Sequence, residues 1–567
     1  MATSDLSRTL RLHSADHVEW SIAPGWERDL LCPQGLRLAE WLASGQARVI
    51  KQGPHRVVYR VELAGQVPAR SFYLKHDRAS GWQAGARHLL RANPSRREWQ
   101  RAEELSQLQI PTITPVALGE RRRLGVVLDS YLVTEAIPGA RSLLEWANLL
   151  PTMPPEQAQP FKRRLLRAAA RLCAALHQAG GEHQDFHAEN ILVSEGGAWA
   201  EDVPAVHLID VPGVRISQRL SWRASRNSLA MLAVGLMDHT TSADRWCFLR
   251  EYLTRRPELG FKNRSQERTA SQDVLTRTRA TSLRVAKSRD RRLLASNKSF
   301  RRLAASGWSA HAVSEVSSET LAGLLRDPAG PLRQGIDQPV KLSHSSVVVK
   351  STLEVAGQTV EVAYKRSRAK SIARMIGHGL VPRRRLQGWL LGHALAVRGI
   401  RTPRPLALIR RHGLIPETYL ATEWIAGGLD LHSFVWKLES RPPAERVERV
   451  EQLAECLGRL IGRMHVWNVS HRDLKANNLM IVEQVDTLEA WLVDLDGVRI
   501  LSRLTDDRRA RDLARLIASL RRYDWLAGAL WPRFFRTYLR ALGRPARETT
   551  ALACAAQRYA DRVHAEW

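Results

Sequence analysis

The sequence predicts an α+β chain in which one domain is written twice, each copy a small β-rich N-lobe followed by a helical C-lobe. Three observations predict it. A polar octet recurs: His183-Gln184-Asp185-Phe186-His187-Ala188-Glu189-Asn190 and His471-Arg472-Asp473-Leu474-Lys475-Ala476-Asn477-Asn478 share one Asp-to-Asn spacing, and Asp185 and Asp473 lie 288 residues apart. Each octet is followed by an apolar run ending in Asp, at Asp210 and Asp494, 284 residues apart. Earlier landmarks keep nearly that offset: Lys75 with Lys365, Pro115 with Pro405, Thr134-Glu135 with Thr422-Glu423. A repeat this long is a duplicated domain rather than a solenoid unit. The 567 residues divide into a first copy over 1–295, a linker over 296–340 and a second copy over 341–567.

In the first copy, residues 1–40 read as a polar lead-in carrying Trp20 and Trp26. Val57 to Val61 and Ser71 to Lys75 are apolar strands bracketing a turn at Gly65, a hairpin that Lys75 closes. Ser95 to Leu108 has Trp99, Ala102 and Leu105 at helical spacing, with Glu98 in reach of Lys75 and with Glu103 and Glu104 as rivals. Tyr131 to Glu135 is the strand into the hinge between lobes. Phe161 to Leu176 is an apolar-striped helix leading to His177 and the first octet. From Arg255 to Arg302 there are 15 Lys/Arg against 4 Asp/Glu, a linker or a basic helical surface.

The second copy repeats the hairpin at Val347 to Lys350 and Thr359 to Lys365. It then departs: from Val362 to Pro416 there is no Asp or Glu and there are 13 Lys/Arg. Gly388 stands where the first copy has Glu98, so the usual lysine–glutamate pair is not available from that helix. Arg383-Arg384-Arg385 beside Trp389 reads as basic charge joined to an interfacial aromatic, a docking surface for an anionic membrane. Ala444 to Val466 is the helix matching Phe161 to Leu176, and residues from Arg508 onward read as further helices.

H-R-D-x-x-x-x-N, then a strand ending in Asp, is the pattern of a protein-kinase-like phosphotransferase. The chemistry asks for these residue types. A base takes the proton of the attacking hydroxyl, a role for Asp473 and, in the first copy, Asp185. An amide oxygen and a carboxylate hold Mg²⁺ against ATP, roles for Asn478 with Asp494 and Asn190 with Asp210. Lys365 and Lys75 meet the nucleotide phosphates, Glu98 orients Lys75, Lys475 reaches the transferred phosphate, and Glu135 and Glu423 mark the nucleotide side of each hinge. No G-x-G-x-x-G precedes Lys75; Gly45 and Gly53 offer only a loose phosphate loop. Glycine follows each metal aspartate by three residues, not two, and only Arg256-Pro257-Glu258 approaches an A-P-E.

Composition narrows the partners. Net charge is +29 and the pI near 10.8, so an acidic partner is expected. No zinc, helix-turn-helix or RNA-binding pattern accompanies it, so nucleic acid is not expected. Five scattered cysteines without C-x-x-C fit a reducing compartment. The start lacks a signal-peptide pattern, and the longest apolar run, Leu229 to Met237, falls short of the ~18 residues of a membrane span. A cytoplasmic place is expected, peripheral at the inner membrane.

Gly399-Ile400-Arg401-Thr402-Pro403-Arg404-Pro405, Thr422-Glu423-Trp424-Ile425, the octet at 471–478 and Val493-Asp494-Leu495-Asp496-Gly497 together resemble the lipopolysaccharide core kinase family, the heptose and Kdo kinases of Gram-negative bacteria. The resemblance covers most of 341–530 and, more weakly, 48–250. It implies a protein-kinase-like fold and ATP-dependent transfer to a sugar hydroxyl of the lipopolysaccharide inner core or a related anionic glycolipid. Two alternatives stand: a protein or small-molecule kinase of the aminoglycoside-phosphotransferase kind, and a nucleotide-binding pseudokinase module in the first copy.

Overall fold

A computed structural model describes residues 11–565 except 54, 64–69, 79–92, 124–125, 195–203, 238, 306, 336–338, 344–345, 369–385, 413–416, 486 and 545–548. Contacts divide the chain into two compact units, Met1–Ser282 and Leu283–Trp567.

In the first unit a seven-stranded antiparallel sheet runs, in spatial order, Arg11–Ala15, Val18–Ile22, Pro115–Arg123, Val126–Glu135, Arg70–Arg78, Arg56–Leu63 and Ala47–Gln52. Its buried face gathers Trp20, Trp26, Trp41, Phe72 and Leu74. From Arg11 onward the lead-in is therefore part of the fold: Trp20 and Trp26 are core, and Val18–Ile22 pairs with the strand Pro115–Arg123. The helix of Glu98 spans Pro94–Gln107; proline opens it and Asn93 Oδ1 accepts the Arg96 N–H as its cap. The C-lobe is built on the helix Pro155–Gln178, whose Phe161, Leu165, Leu172 and Leu176 are buried. It begins six residues before the expected Phe161 because Pro155 fits the first turn.

The second unit repeats the order: Phe300–Ala305, Trp308–Val313, Pro405–Arg411, Glu417–Glu423, Gln358–Arg368, Ser346–Val355 and Pro339–Ser343. Here the sequence expectation of a linker over 296–340 fails. Phe300–Ala305 and Trp308–Val313 form a hairpin on the sheet edge, and Ser318–Arg326 is a helix burying Leu321, Leu324 and Leu325. The physical reason is that Phe300–Ala305 is half-solvated along both faces, so it lacks the apolar alternation that marks a strand.

Trp389 is likewise not interfacial. It is fully buried, and its indole N–H donates to Leu293 O at 3.0 Å. Arg383, Arg384 and Arg385 lie outside the described residues.

The helical lobe of the second unit packs Pro443–Val466 against Asp524–Leu542, with Asp506–Leu520 and Thr549–Ala565 alongside. In each unit a short three-stranded and a two-stranded sheet hold the octet between the lobes: 191–194 with 205–208 and 181–183 with 214–216 in the first, 479–483 with 488–492 and 469–471 with 498–500 in the second.

Candidate active site

In the second unit the octet leaves the strand Val469–His471 and returns through a 3-10 turn at Ala476–Asn478. His471 is buried, and burial holds its imidazole below its ordinary value, so it is neutral at pH 7. Its Nδ1 accepts the Asp473 N–H at 3.2 Å, which fixes the loop under the aspartate. Asn478 Nδ2 donates to Asp473 O at 2.7 Å, leaving Oδ1 as the amide's acceptor. Lys475 Nζ stands 3.0 Å from Asp473 Oδ2. The Asp473 side chain is half exposed, open to an incoming hydroxyl.

Asp494 caps the next 3-10 turn with φ 54°, ψ 70°. A left-handed non-glycine residue is uncommon and costs on the order of 1 kcal/mol or more, a cost found at functional positions. Asp210 has the same conformation, φ 56°, ψ 45°. In the second unit the glycine three residues on has a steric reason. A Cβ at Gly497 would stand 3.0 Å from His471 Nδ1, and Gly497 O accepts the Arg472 N–H at 3.1 Å. This glycine lets the turn lie on the octet.

The first unit builds the same frame. His183 Nδ1 accepts the Asp185 N–H at 3.1 Å, Asn190 Nδ2 donates to Asp185 O at 2.9 Å, and Gly213 O accepts the Gln184 N–H at 3.1 Å. His187 Nε2 stands 3.4 Å from Asp185 Oδ2, where the second unit has Lys475. The structure brings Lys75 onto Glu98: Lys75 Nζ donates to Glu98 Oε1, and Glu98 is wholly buried. Arg56, on the neighbouring strand, adds a guanidinium 3.9 Å from Glu98 Oε2 and pairs with Asp77 at 2.6 Å.

Lys365 has different partners. Its Nζ stands 3.3 Å from Asp494 Oδ1 and 3.1 Å from Asp496 Oδ2. Burial acts to lower its pKa, but Asp496 and Asp494 outweigh it and raise the amine above its ordinary value. Lys365 is paired in register with Leu420 as Lys75 is with Leu132.

Glu135 ends the hinge strand and lines a cavity of about 420 Å³ together with Thr112, Thr114, Pro138, Ser194 and His207. Glu423 occupies the matching place, half exposed, 3.8 Å from Arg404; burial raises its carboxyl above its ordinary value.

Two contributors besides Asp496 escaped the sequence reading. Asp512, on the helix Asp506–Leu520, is buried and accepts the His471 N–H at 3.1 Å. Its signal was a single carboxylate among the apolar positions Ala510, Leu513, Leu516 and Ile517. Arg56 had no signal beyond being a basic residue opening a strand.

Among the described residues no group of three or more His, Cys, Asp or Glu side chains could hold a metal by itself. What each unit offers is an amide oxygen and a carboxylate, Asn478 with Asp494 and Asn190 with Asp210. Such a hard-oxygen pair suits Mg²⁺, which keeps most of its coordination for water and phosphate.

The lipopolysaccharide kinase (Kdo/WaaP) family model matches residues 40–252 and 353–538. The lipopolysaccharide core heptose(I) kinase WaaP of Pseudomonas aeruginosa is 29% identical over 215 residues, 37% of this chain and 78% of that protein. The Escherichia coli enzyme of the same name is 25% identical over 212 residues, 36% and 78%. The 3-deoxy-D-manno-octulosonic acid kinase of Vibrio cholerae is 28% identical over 149 residues, 26% and 57%. A solved structure of WaaP in complex with acyl carrier protein is 23% identical, with 47% of this chain and 99% of that one covered and a TM-score of 0.32.

Proposed function

The chain belongs to the lipopolysaccharide kinase (Kdo/WaaP) family, matched in both of its copies, and from that premise we propose that it transfers the terminal phosphoryl group of ATP to a sugar hydroxyl of the lipopolysaccharide inner core or a related glycolipid. The observation that carries this reading is the second unit's octet, where Asp473, Lys475 and Asn478 are tied together beside Asp494 and Lys365.

Asp473 receives the proton as the acceptor oxygen bonds to the γ-phosphorus and the bridge to the β-phosphate breaks, releasing ADP. Lys475, bonded to Asp473, follows the transferring group with its charge. Lys365 in the second unit and Lys75 in the first bind the phosphates. Asn478 with Asp494, and Asn190 with Asp210, would hold Mg²⁺. When bound, that ion cancels phosphate charge. Phosphoryl transfer is mostly positioning and charge cancellation, so held polar groups of these kinds are sufficient machinery.

The acceptor reading draws support from charge: a chain of net +29 suits an anionic acceptor. Among the described residues no helix is long and apolar enough to cross a membrane. A peripheral position at the cytoplasmic face of the inner membrane would bring the protein to a lipid-anchored acceptor.

The test is to supply labelled ATP with lipopolysaccharide, a generic protein substrate or small sugars in separate reactions, using wild type and the Asp185→Asn/Asp473→Asn double variant. Label on lipopolysaccharide that is lost in the double variant is the expected result. Label confined to protein or to a small sugar overturns the acceptor.

A further inference from the structure

The two units solve one problem with carboxylates in different places. In the first, the lysine of the sheet is held by Glu98 on the helix Pro94–Gln107. In the second, the matching helix position is Gly388, and a Cβ there would stand 2.7 Å from Leu420 Cδ2. Leu420 is the register partner of Lys365. A longer side chain at 388 would therefore meet the strand that flanks the lysine. The turn after the metal aspartate has changed in the opposite sense. The first unit has Pro212 two residues after Asp210; the second has Asp496 two residues after Asp494. One carboxylate has left the helix and one has entered the turn.

We infer that Asp496 is the positioning residue for Lys365, doing from the metal-binding turn what Glu98 does from the helix, so that lysine and Asp494 are set by a single piece of backbone. The inference rests on the phosphotransferase reading of the second unit.

The helix keeps a share in the arrangement by another route. Gln387, its first residue, donates Nε2 to Val498 O at 3.1 Å and lies within 3.4 Å of Leu495 O and 3.3 Å of Asp496 O. The chain of contact therefore runs from helix to Gln387, to the turn, to Asp496, to Lys365. In the first unit it runs directly from helix to lysine.

Exposure separates this role from a stabilising one. The Asp496 side chain is 75% exposed, and an ion pair so open to water contributes little to stability. Its loss should be felt in how the lysine meets phosphate rather than in folding.

The experiment uses the full chain with Lys75→Met/Asp210→Ala, which removes the first unit's nucleotide site and with it that unit's transfer, and compares Asp496→Asn and Asp496→Glu with the parent. Thermal unfolding, Mg-ATP and adenosine affinity, and transfer kinetics against Mg²⁺ concentration are measured on each. The expected result for Asp496→Asn is an unchanged Tm, unchanged adenosine binding, weaker Mg-ATP binding and a kcat lower by about a hundredfold, the cost of a positioning error of about 1 Å. Asp496→Glu should recover part of the loss. Parental ATP affinity and kcat in Asp496→Asn overturn the inference. So does full rescue by raised Mg²⁺, which would make Asp496 a metal ligand, and so does equal loss of ATP and adenosine binding, which would make it structural. The two binding arms need no acceptor, so they report on Asp496 even where lipopolysaccharide proves the wrong acceptor.

Discussion

The backbone N–H of His471 donates to Asp512 Oδ2 at 3.1 Å, and His465 Nε2 stands 3.6 Å from the same oxygen. One buried carboxylate thus ties the helix Asp506–Leu520 to the strand entering the octet and lies against His465 of the helix Pro443–Val466. In the first unit the matching imidazole, His177, has Nε2 2.8 Å from Ser228 Oγ instead. A carboxylate kept 1% exposed survives only with such partners, and removing it strands them.

Asp512→Ala should therefore destabilise the second unit by about 3 kcal/mol, the scale of breaking a buried charged network. It should also slow transfer, because the octet loses its backbone anchor. Ser228→Ala, which removes a neutral hydrogen bond, should cost about 1 kcal/mol. Denaturant unfolding of both variants and initial rates of Asp512→Ala in the Asp185→Asn background check this; equal costs for the two would contradict the asymmetry.

Much of the site was readable because phosphoryl transfer needs polar residues at fixed distances from apolar strands, and duplication let each copy check the other. Lys75 lies on Glu98 as their spacing implied, and the residue before each following aspartate, Ile209 or Val493, donates its N–H to the octet's Asn190 O or Asn478 O at 2.9 Å. What escaped reading follows a physical pattern. Phe300–Ala305 is an edge strand wetted on both faces, so it looked like linker. Trp389 sits among basic residues in sequence but under the sheet in space. Asp496 is exposed, and an exposed acid carries no periodic signal; only its distance to Lys365 distinguishes it.

Nucleotide stoichiometry tests whether both units bind. The first unit keeps Lys75, Glu98, Asn190 and Asp210, so the full chain should bind two Mg-ATP by calorimetric titration. Lys75→Met/Asp210→Ala should leave one site, and Lys365→Met/Asp494→Ala the other. A wild-type stoichiometry of one, lost only in the second double variant, would make the first unit a non-binding copy.

Helix packing gives a test in the second unit alone. A Cβ on Gly458 would stand 2.9 Å from Phe534 O, and one on Gly462 would stand 2.6 Å from Ala541 Cβ. The helices Pro443–Val466 and Asp524–Leu542 approach through these two glycines. Helix propensity alone favours Gly→Ala by about 1 kcal/mol. Overpacking against a backbone oxygen opposes it with about 1–3 kcal/mol. Gly458→Ala should lower stability modestly and Gly462→Leu should lower it severely, read as shifts in denaturation midpoint at constant slope. A rise in midpoint for Gly458→Ala would show that the helices can part at no cost.

Acid should unfold the second unit through its N-lobe sheet. Burial, with Arg302 and Arg410 nearby, holds His311 down at about 4. Burial and Arg404, against a smaller opposing pull from Glu315, hold His393 at about 4. Both rings pack with Trp389, with centroids 6.4 and 4.4 Å from it. In the unfolded chain each titrates near its ordinary 6.5. Above pH 6.5 both states carry neutral rings and the stability is fully present. As pH falls from 6.5 toward 4, the unfolded chain takes up protons the folded one refuses. Stability then drops by up to about 1.4 kcal/mol per pH unit for each ring. Below about 4 the folded rings titrate too and the slope flattens. His465 and His471, also buried and lowered, act in the same direction. Urea unfolding followed between pH 7 and 4 should therefore show a steep loss that His311→Gln/His393→Gln reduces without abolishing. An undiminished slope in that double variant would place the acid lability elsewhere.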